Sequence, residues 1–228
     1  MNVDKTDGIR RRAAVHAALG DVTRLRIVDV LTVGDASASE LASLLRVPSN
    51  LLAHHVGVLE TVGLVGRHRS EGDGRRSYLT LLRGADGVPP EAPVPRLTPP
   101  RRVLFVCTAN TARSHLAAAL WRSASRVRVA SAGTHPGASV HPAAVRAAAR
   151  RGLRVPEVAP QDLRGIHREG DLVITVCDRA HEELAGADWA HWSVPDPVAA
   201  GTRTAFDSAI EDLAARVGAL APRMVGAG

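Results

Sequence analysis

The sequence predicts two domains: an α+β domain of helices followed by a β-hairpin, and an α/β domain with a parallel four-stranded sheet. Three observations predict this division. Helical patterns and one hairpin occupy residues 1–87, six prolines without apolar periodicity occupy residues 88–100, and apolar strands alternate with helices over residues 101–228. We therefore expect a first domain at 1–87, a proline-rich, semi-rigid linker at 88–100 and a second domain at 101–228.

Composition limits the class of protein. The chain of 228 residues has a net charge of +6, and this charge is spread over both domains, so DNA binding has to be argued from local clusters. Its two cysteines, Cys107 and Cys177, are too few for a disulfide scaffold. No apolar run reaches the length of a membrane span. We expect a cytoplasmic protein without a membrane partner, whose cysteines are catalytic or redox-active.

The first domain contains four predicted helices and a hairpin. An alanine-rich helix ends at Leu19, and Asp21 caps the next helix, whose inner stripe is predicted to include Leu25. Ser37 or Ser39 caps a short third helix, and Ser49 caps a fourth helix that Gly63 ends. Two short strands at 64–69 and 77–82 then flank a tip rich in glycine, aspartate and arginine.

Helices followed by a basic hairpin indicate a winged helix-turn-helix domain. The segments LGDVTRLRIVDVL at 19–31 and HHVGVLETVGLV at 54–65 resemble the arsenic-repressor family of small metal-sensing regulators. They correspond to that family's second helix and to its recognition helix with the entry to the wing, and the resemblance covers about residues 10–83. It implies a transcriptional regulator that binds DNA as a homodimer formed through this domain.

The expected DNA contacts lie on the fourth helix and the hairpin. They are Ser49, Asn50, Ala53, His54 and Gly57 on the helix, and Arg67, Arg69, Arg75 and Arg76 on the hairpin. A histidine facing solvent and a solvated hairpin tip remain alternative interpretations. Because this domain contains no cysteine, we expect no thiolate metalloid sensor within it, and the sequence predicts no metal site.

The second domain opens with a strand, a short loop and a helix at 102–122, RVLFVCTANTARSHLAAALWR. The apolar strand ends at Cys107, five residues separate it from Arg113, and Ser114 follows directly. Loop amides and a helix N-terminus form an anion site, and a guanidinium binds two oxygens of a tetrahedral oxyanion. The same positive field stabilises a thiolate, so Cys107 is the expected nucleophile.

The loop CTANTARS, with Asp196-Pro197 downstream, resembles the signature loop of the low-molecular-weight protein tyrosine phosphatases and of the arsenate reductases that share their fold. The resemblance covers about residues 101–228. It implies a nucleophile at Cys107, a general acid at Asp196 and a second redox cysteine at Cys177. The expected oxyanion-binding loop consists of Thr108, Ala109, Asn110, Thr111, Ala112, Arg113 and Ser114. Structural cysteines and an aspartate that only forms a turn are the alternatives.

Two features bear on the substrate. Val198 and Ala199 follow Asp196-Pro197 where the phosphatases often have aromatic residues, so a small oxyanion, arsenate or phosphate, is favoured. Residues 178–192 lack the third cysteine of the thioredoxin-linked reductases. We therefore expect no bound cofactor, and an external low-molecular-weight thiol or redoxin as reductant. The prediction is a DNA-binding regulator fused to an arsenate reductase; the alternatives are a protein tyrosine phosphatase and a catalytically silent oxyanion or redox sensor that controls DNA binding.

Overall fold

The computed structural model describes residues 3–82, 97–156 and 158–224. The chain forms two compact units, one of Met1–Arg69 with Arg75–Val94 and the other of Ser70–Gly74 with Pro95–Gly228. The five residues of Ser70–Gly74, which the sequence places in the first domain, thus pack with the second unit. Most of the predicted linker, residues 88–96, lies outside the described residues. No described helix is long and apolar enough to cross a membrane.

The first unit has the predicted order of helices and hairpin. Its elements are α1 (Val3–Leu19), α2 (Val22–Val33), β1 (Ala36–Ser37), α3 (Ala38–Leu45), α4 (Ser49–Thr61), β2 (Val65–Arg69) and β3 (Ser77–Leu81). The hairpin strands pair antiparallel, and β1, which the sequence did not predict, adds to β3 to give the order β1-β3-β2.

Local hydrogen bonds explain where these helices begin. The Asp21 carboxylate accepts the amide hydrogen of Arg24 at 3.0 Å, as predicted. Ser37 and Glu40 form a capping box at the start of α3. The expected cap at Ser49 is wrong: Pro48 is the N-cap of α4, without a side-chain hydrogen bond. The Pro48 carbonyl accepts the first helical amide hydrogen, from Leu52 at 2.9 Å, at a position where the missing proline N–H is not needed.

The core of the first unit lies between α2, α3, α4 and the sheet. Ile27, Leu41, Leu52, Leu59 and Leu79 are among its fully buried side chains. The predicted inner position of Leu25 is wrong, because Leu25 is 43% exposed. The buried face of α2 consists of Ile27 together with Val28 and Leu31, and the sequence pattern places the last two on the inner stripe.

The second unit has a parallel four-stranded sheet in the order β5-β4-β6-β7, which confirms the predicted fold class. Its elements are β4 (Arg102–Cys107), α5 (Arg113–Ala124), β5 (Arg128–Gly133), α6 (Pro142–Arg150), α7 (Leu163–Ile166), β6 (Asp171–Thr175), α8 (Asp178–Leu184), β7 (Ala190–His191), α9 (Pro197–Ala200), α10 (Arg203–Leu220) and a 3-10 turn (Ala221–Met224).

Strand order brings the chemistry to one edge of this sheet. Strand β4 is central, and its Phe105 packs between Trp121 and Trp192, with ring centroids 5.9 and 5.4 Å away. Strand β6 lies beside β4 in parallel register, so the segments that follow both strands emerge at the same carboxyl edge. Cys107 and Cys177 therefore lie at neighbouring positions of that edge.

Candidate active site

The loop that follows strand β4 holds the Cys107 side chain in place. Its Sγ accepts the amide hydrogen of Asn110 at 3.2 Å and lies 3.1 Å from Ser114 Oγ. Asn110 has a left-handed backbone, with φ of 51°, and its Nδ2 donates to Ser114 Oγ at 2.8 Å. The Ser114 hydroxyl, which accepts from Asn110, is thereby oriented to donate its hydrogen to the sulfur. Both interactions place a hydrogen-bond donor against the Cys107 sulfur.

Arg113 begins α5 and reaches across the loop. Its Nη1 donates to the Val194 carbonyl at 2.9 Å and lies 3.3 Å from Glu71 Oε2, while its Nη2 lies 3.1 Å from Asp196 Oδ2. Burial opposes the charge, but the negative charges that Cys177 and Cys107 carry when ionised, and those of the Asp196 and Glu71 carboxylates, raise the pKa of Arg113 above its ordinary value. The site therefore holds a permanent positive charge beside the nucleophile.

Asp196 faces the same guanidinium from the start of α9. One carboxylate oxygen, Oδ1, accepts the amide hydrogen of Val198 at 3.0 Å and caps this short helix. The other, Oδ2, pairs with Arg113. The side chain is 33% exposed, so it can meet a leaving group that enters the site from solvent. The contacts are compatible with both alternatives considered from the sequence, because Oδ1 forms the turn and Oδ2 lies beside Arg113.

Cys177 precedes α8 and is 1% exposed, compared with 3% for Cys107. Its Sγ accepts the amide hydrogen of Thr108 at 3.2 Å, an amide that we expected to face the oxyanion. Burial, and then the charge of Cys107, raise the pKa of Cys177 to about 11, although Arg113 opposes the shift. At neutral pH Cys177 is therefore a protonated thiol beside the oxyanion-binding loop.

A hydrogen-bonded network behind Cys177 was not predicted from the sequence. Asp178 Oδ1 contacts His191 Nε2 at 3.0 Å and accepts from the Ser193 hydroxyl, and Thr175 Oγ1 lies 3.0 Å from His191 Nδ1. Burial opposes ionisation, but these donors hold the pKa of Asp178 below its ordinary value. The network fixes the first turn of α8. Its only sequence signal is a run of polar residues after an apolar strand, which does not reveal the partners.

The same region contains a possible set of metal ligands. His181, Asp188 and His191 place ligand atoms within 4.8 Å of one another. The two imidazole rings are stacked, however, with centroids 4.2 Å apart and 9° between their planes. A metal ion binds in the ring plane along a nitrogen lone pair, and two stacked planes share no such position. His181 Nδ1 instead lies 2.7 Å from Asp188 Oδ2, so we interpret the cluster as a hydrogen-bonded network.

A cavity of about 530 Å³ joins these groups. Both thiols, Arg113 and Asp196 line it, together with loop residues, Ala199 and Glu71. None of the described residues that line the cavity is aromatic. The arrangement suits a small tetrahedral anion held between a sulfur and a guanidinium, with the carboxyl group of Asp196 at the edge of the same cavity.

The expected DNA contacts in the first unit lie on accessible surface. Ser49, Asn50, Ala53 and His54 of α4 are exposed and Gly57 is half-buried. The predicted wing residues Arg67, Arg69, Arg75 and Arg76 are exposed as well. Arg67 Nε lies 3.0 Å from Glu60 Oε1, so this guanidinium is engaged within the unit. The opposite face of α4 enters the core through Leu52, Val56 and Leu59.

Fold and site together define a cysteine-nucleophile enzyme domain of the phosphatase and arsenate reductase type. The family model described as low molecular weight phosphotyrosine protein phosphatase matches residues 102–226, and the chain belongs to this family. A helix-turn-helix domain model matches residues 19–67. The chain is therefore a fusion of a helix-turn-helix domain with an enzyme domain.

Solved structures with similarity to this chain include phosphatases and an arsenate reductase. The tyrosine phosphatase Wzb from Escherichia coli K30, in complex with sulphate, is 21% identical with a TM-score of 0.50 over 55% of this chain and 99% of its own, which shows the shared fold. A mutant of YwlE from Bacillus subtilis is 23% identical with a TM-score of 0.49, covering 54% of this chain and 97% of its own. The arsenate reductase from Archaeoglobus fulgidus is 27% identical with a TM-score of 0.45, covering 53% and 98%. No curated protein sequence shows significant similarity to the chain.

Proposed function

We propose that the second domain reduces arsenate to arsenite with an external thiol, and that the first domain is a DNA-binding regulator of the arsenic-repressor type. The observation that supports reduction is the presence of two thiols, Cys107 and Cys177, in one cavity with Arg113. A phosphatase needs one nucleophilic sulfur. Reduction by thiols needs two sulfur atoms, because a disulfide must form.

The chemistry follows from the site. The Cys107 thiolate attacks arsenic and forms an S–As bond, while an arsenate oxygen, protonated by Asp196, leaves as water. A second thiolate then attacks the Cys107 sulfur and forms a disulfide. The electron pair of the S–As bond stays with arsenic, which leaves as arsenite, so two thiols have supplied the two electrons. Arg113 and the loop amides neutralise the oxyanion throughout.

The second thiol comes from outside the chain or from Cys177. A protonated Cys177 with a pKa of about 11 is a slow attacking group at neutral pH, because the thiolate is the reactive form. We therefore propose a low-molecular-weight thiol or a redoxin as the first attacking group. Cys177 then attacks the mixed disulfide at the Cys107 sulfur and releases the external thiol, and this is the step that its position in the cavity supports.

Phosphomonoester hydrolysis is the second candidate, and the position of Asp196 favours it. A phosphate ester needs a proton on its leaving oxygen, and Asp196 Oδ2 lies 3.1 Å from the guanidinium that would hold the phosphoryl group. A third candidate is an oxyanion or redox sensor without turnover, in which binding at the loop changes DNA affinity.

One set of assays separates these candidates. Arsenite formation would be measured with glutathione–glutaredoxin and with thioredoxin systems, and hydrolysis with para-nitrophenyl phosphate, for the wild type, Cys107→Ser and Cys177→Ser. We expect thiol-dependent arsenite formation that Cys107→Ser abolishes. Ester hydrolysis that outpaces arsenate reduction would assign a phosphatase instead. DNA binding that responds to oxyanions, with neither activity, would assign a sensor.

DNA binding is proposed from α4 and the hairpin. The exposed face of α4 carries small and polar residues, which allow close approach to a groove, and four exposed arginines lie on or beside the hairpin strands. We further propose a homodimer formed through the first domain, since regulators of this type read two half-sites.

A further inference from the structure

The segment Ser70–Gly74, which packs within the second unit, is fitted to the surface of α8. The Ser70 hydroxyl donates to Glu182 Oε1 at 2.6 Å, and the Asp73 amide donates to Glu182 Oε2 at 2.7 Å. A Cβ added to Gly72 would lie 2.3 Å from Glu182 Oε2 and 3.0 Å from Arg179 Cα. A side chain at position 72 would therefore displace the Glu182 carboxylate and press on the α8 backbone, so glycine suits this close approach.

This seating directs the Glu71 carboxylate into the active-site cavity. The Glu71 amide donates to Asp178 Oδ2 at 2.8 Å, which fixes its backbone. Its carboxylate oxygens accept the Asp196 amide hydrogen at 2.9 and 3.1 Å, and Oε2 lies 3.3 Å from Arg113 Nη1. A carboxylate from the chain itself thus contacts the guanidinium that the oxyanion needs.

We propose that Glu71 is a built-in competitor of the substrate oxyanion, and that anion binding displaces it from Arg113. This rests on the proposed oxyanion-binding role of the site. An arsenate or phosphate dianion beside Arg113 would meet the Glu71 carboxylate at the guanidinium that both need. Like charges at such distances repel strongly where water is partly excluded.

Glu71 is the carboxylate that can leave. Its side chain is 46% exposed, compared with 33% for Asp196, so it returns to water at a lower cost. Asp196 also caps α9 and is held at that position. The expected consequence is a site that responds only when the oxyanion concentration is high enough to displace the internal carboxylate.

The test is phosphate and arsenate binding, measured by calorimetry and by protection of Cys107 from iodoacetamide, in the full chain. Glu71→Gln keeps the shape and an acceptor for the Asp196 amide but removes the charge. Gly72→Ala keeps every charge but displaces the Glu182 carboxylate that holds the segment on α8 and presses on the Arg179 backbone. Gly74→Ala is the matched control, because an added Cβ there meets nothing within 4 Å.

We expect both Glu71→Gln and Gly72→Ala to bind phosphate about tenfold more tightly than the wild type, with Gly74→Ala unchanged. Phosphate affinity that is unchanged or weaker in both variants, in proteins that still bind it, would overturn the competitor role while leaving the oxyanion site intact. Failure of the wild type and all variants to bind either oxyanion would overturn the proposed function together with this inference.

Discussion

The two cysteines are almost equally buried and differ in the groups that surround their sulfur atoms. Both are almost fully buried, yet Cys107 accepts hydrogen bonds from the Asn110 amide and the Ser114 hydroxyl, whereas Cys177 has a pKa of about 11. Nucleophilic reactivity follows the thiolate population rather than the accessible area. The hydrogen-bond donors around each sulfur are therefore the reason that we predict different chemical roles for two similar side chains at one sheet edge.

We predict that iodoacetamide at pH 7.5 modifies Cys107 well before Cys177, and that phosphate or arsenate protects Cys107. The reason is that Cys107 lies beside Arg113 at the N-terminus of α5 and accepts the Asn110 amide hydrogen, whereas the pKa of Cys177, raised to about 11, leaves that thiol protonated at this pH. Peptide mass spectrometry over a time course would measure both rates, with Cys107→Ser and Cys177→Ser as controls. Equal rates without protection would contradict the assignment of the nucleophile.

A second prediction concerns the pH profile of Cys177. In the wild type, its alkylation should rise with pH up to about 11, because its thiolate forms there. Replacing Cys107 by Ser removes the negative charge that helps to raise this pKa, while burial remains. The profile of Cys177 should then shift to lower pH but stay above that of an ordinary cysteine, about 8.5. An identical profile in both proteins would show that the two thiols do not interact.

Among the helices and strands, the sequence predicted those whose pattern lies within one contiguous segment of the chain. The apolar run before Cys107, the loop to Arg113 and the helix after it are contiguous, so their order fixes an anion site. Strand β1 was missed because it has only two residues, and its pairing with β3 depends on tertiary contacts. The Ser49 cap failed because Pro48 competes at the same helix entrance.

Contacts at the site between residues far apart in the chain could not be predicted from the sequence. Glu71 reaches Arg113 across 42 positions of the chain, and Asp178 meets His191 through a fold-dependent turn. Neither pair has a periodic or motif signal, since a glutamate in a hairpin tip is ordinarily solvated. Asp196, in contrast, was proposed from its Asp-Pro context, and the structure places it beside Arg113; the separate contacts of its two oxygens could not be predicted from the sequence.

We predict that replacing Arg75 and Arg76 by alanine weakens DNA binding on all sequences. If the two guanidinium groups contact phosphates, the slope of log affinity against log salt should fall by about 0.9 for each lost contact. Fluorescence anisotropy between 50 and about 250 mM salt would measure it. Arg151→Ala with Arg154→Ala, two exposed arginines of the second unit, is the charge-matched control. An unchanged slope in the wing variant would remove the hairpin from the DNA interface.

On the scale of the whole molecule, one polypeptide combines a helix-turn-helix domain with an oxyanion enzyme domain. The first unit contains no cysteine, so any thiol-dependent signal has to enter at Cys107 or Cys177. Residues 70–74 lie in sequence between β2 and β3, which belong to the first unit, and pack with the second. An anion that displaces Glu71 would thus act on a segment continuous with the hairpin that we propose as the wing.

We therefore predict that arsenite, arsenate or phosphate lowers DNA affinity of the wild type modestly, and that the anion binds less tightly to the DNA-bound protein by the same factor, as linkage requires. Anisotropy titrations would compare the wild type with the Cys107→Ser, Cys177→Ser double variant and with Glu71→Gln. Release by arsenite in the wild type alone would place sensing at the thiols. If phosphate releases DNA from Glu71→Gln at a lower phosphate concentration than from the wild type, the signal would enter through displacement of the Glu71 carboxylate. Identical release of DNA from all three proteins would exclude both routes. If no anion releases DNA, the two domains share a chain without thermodynamic coupling.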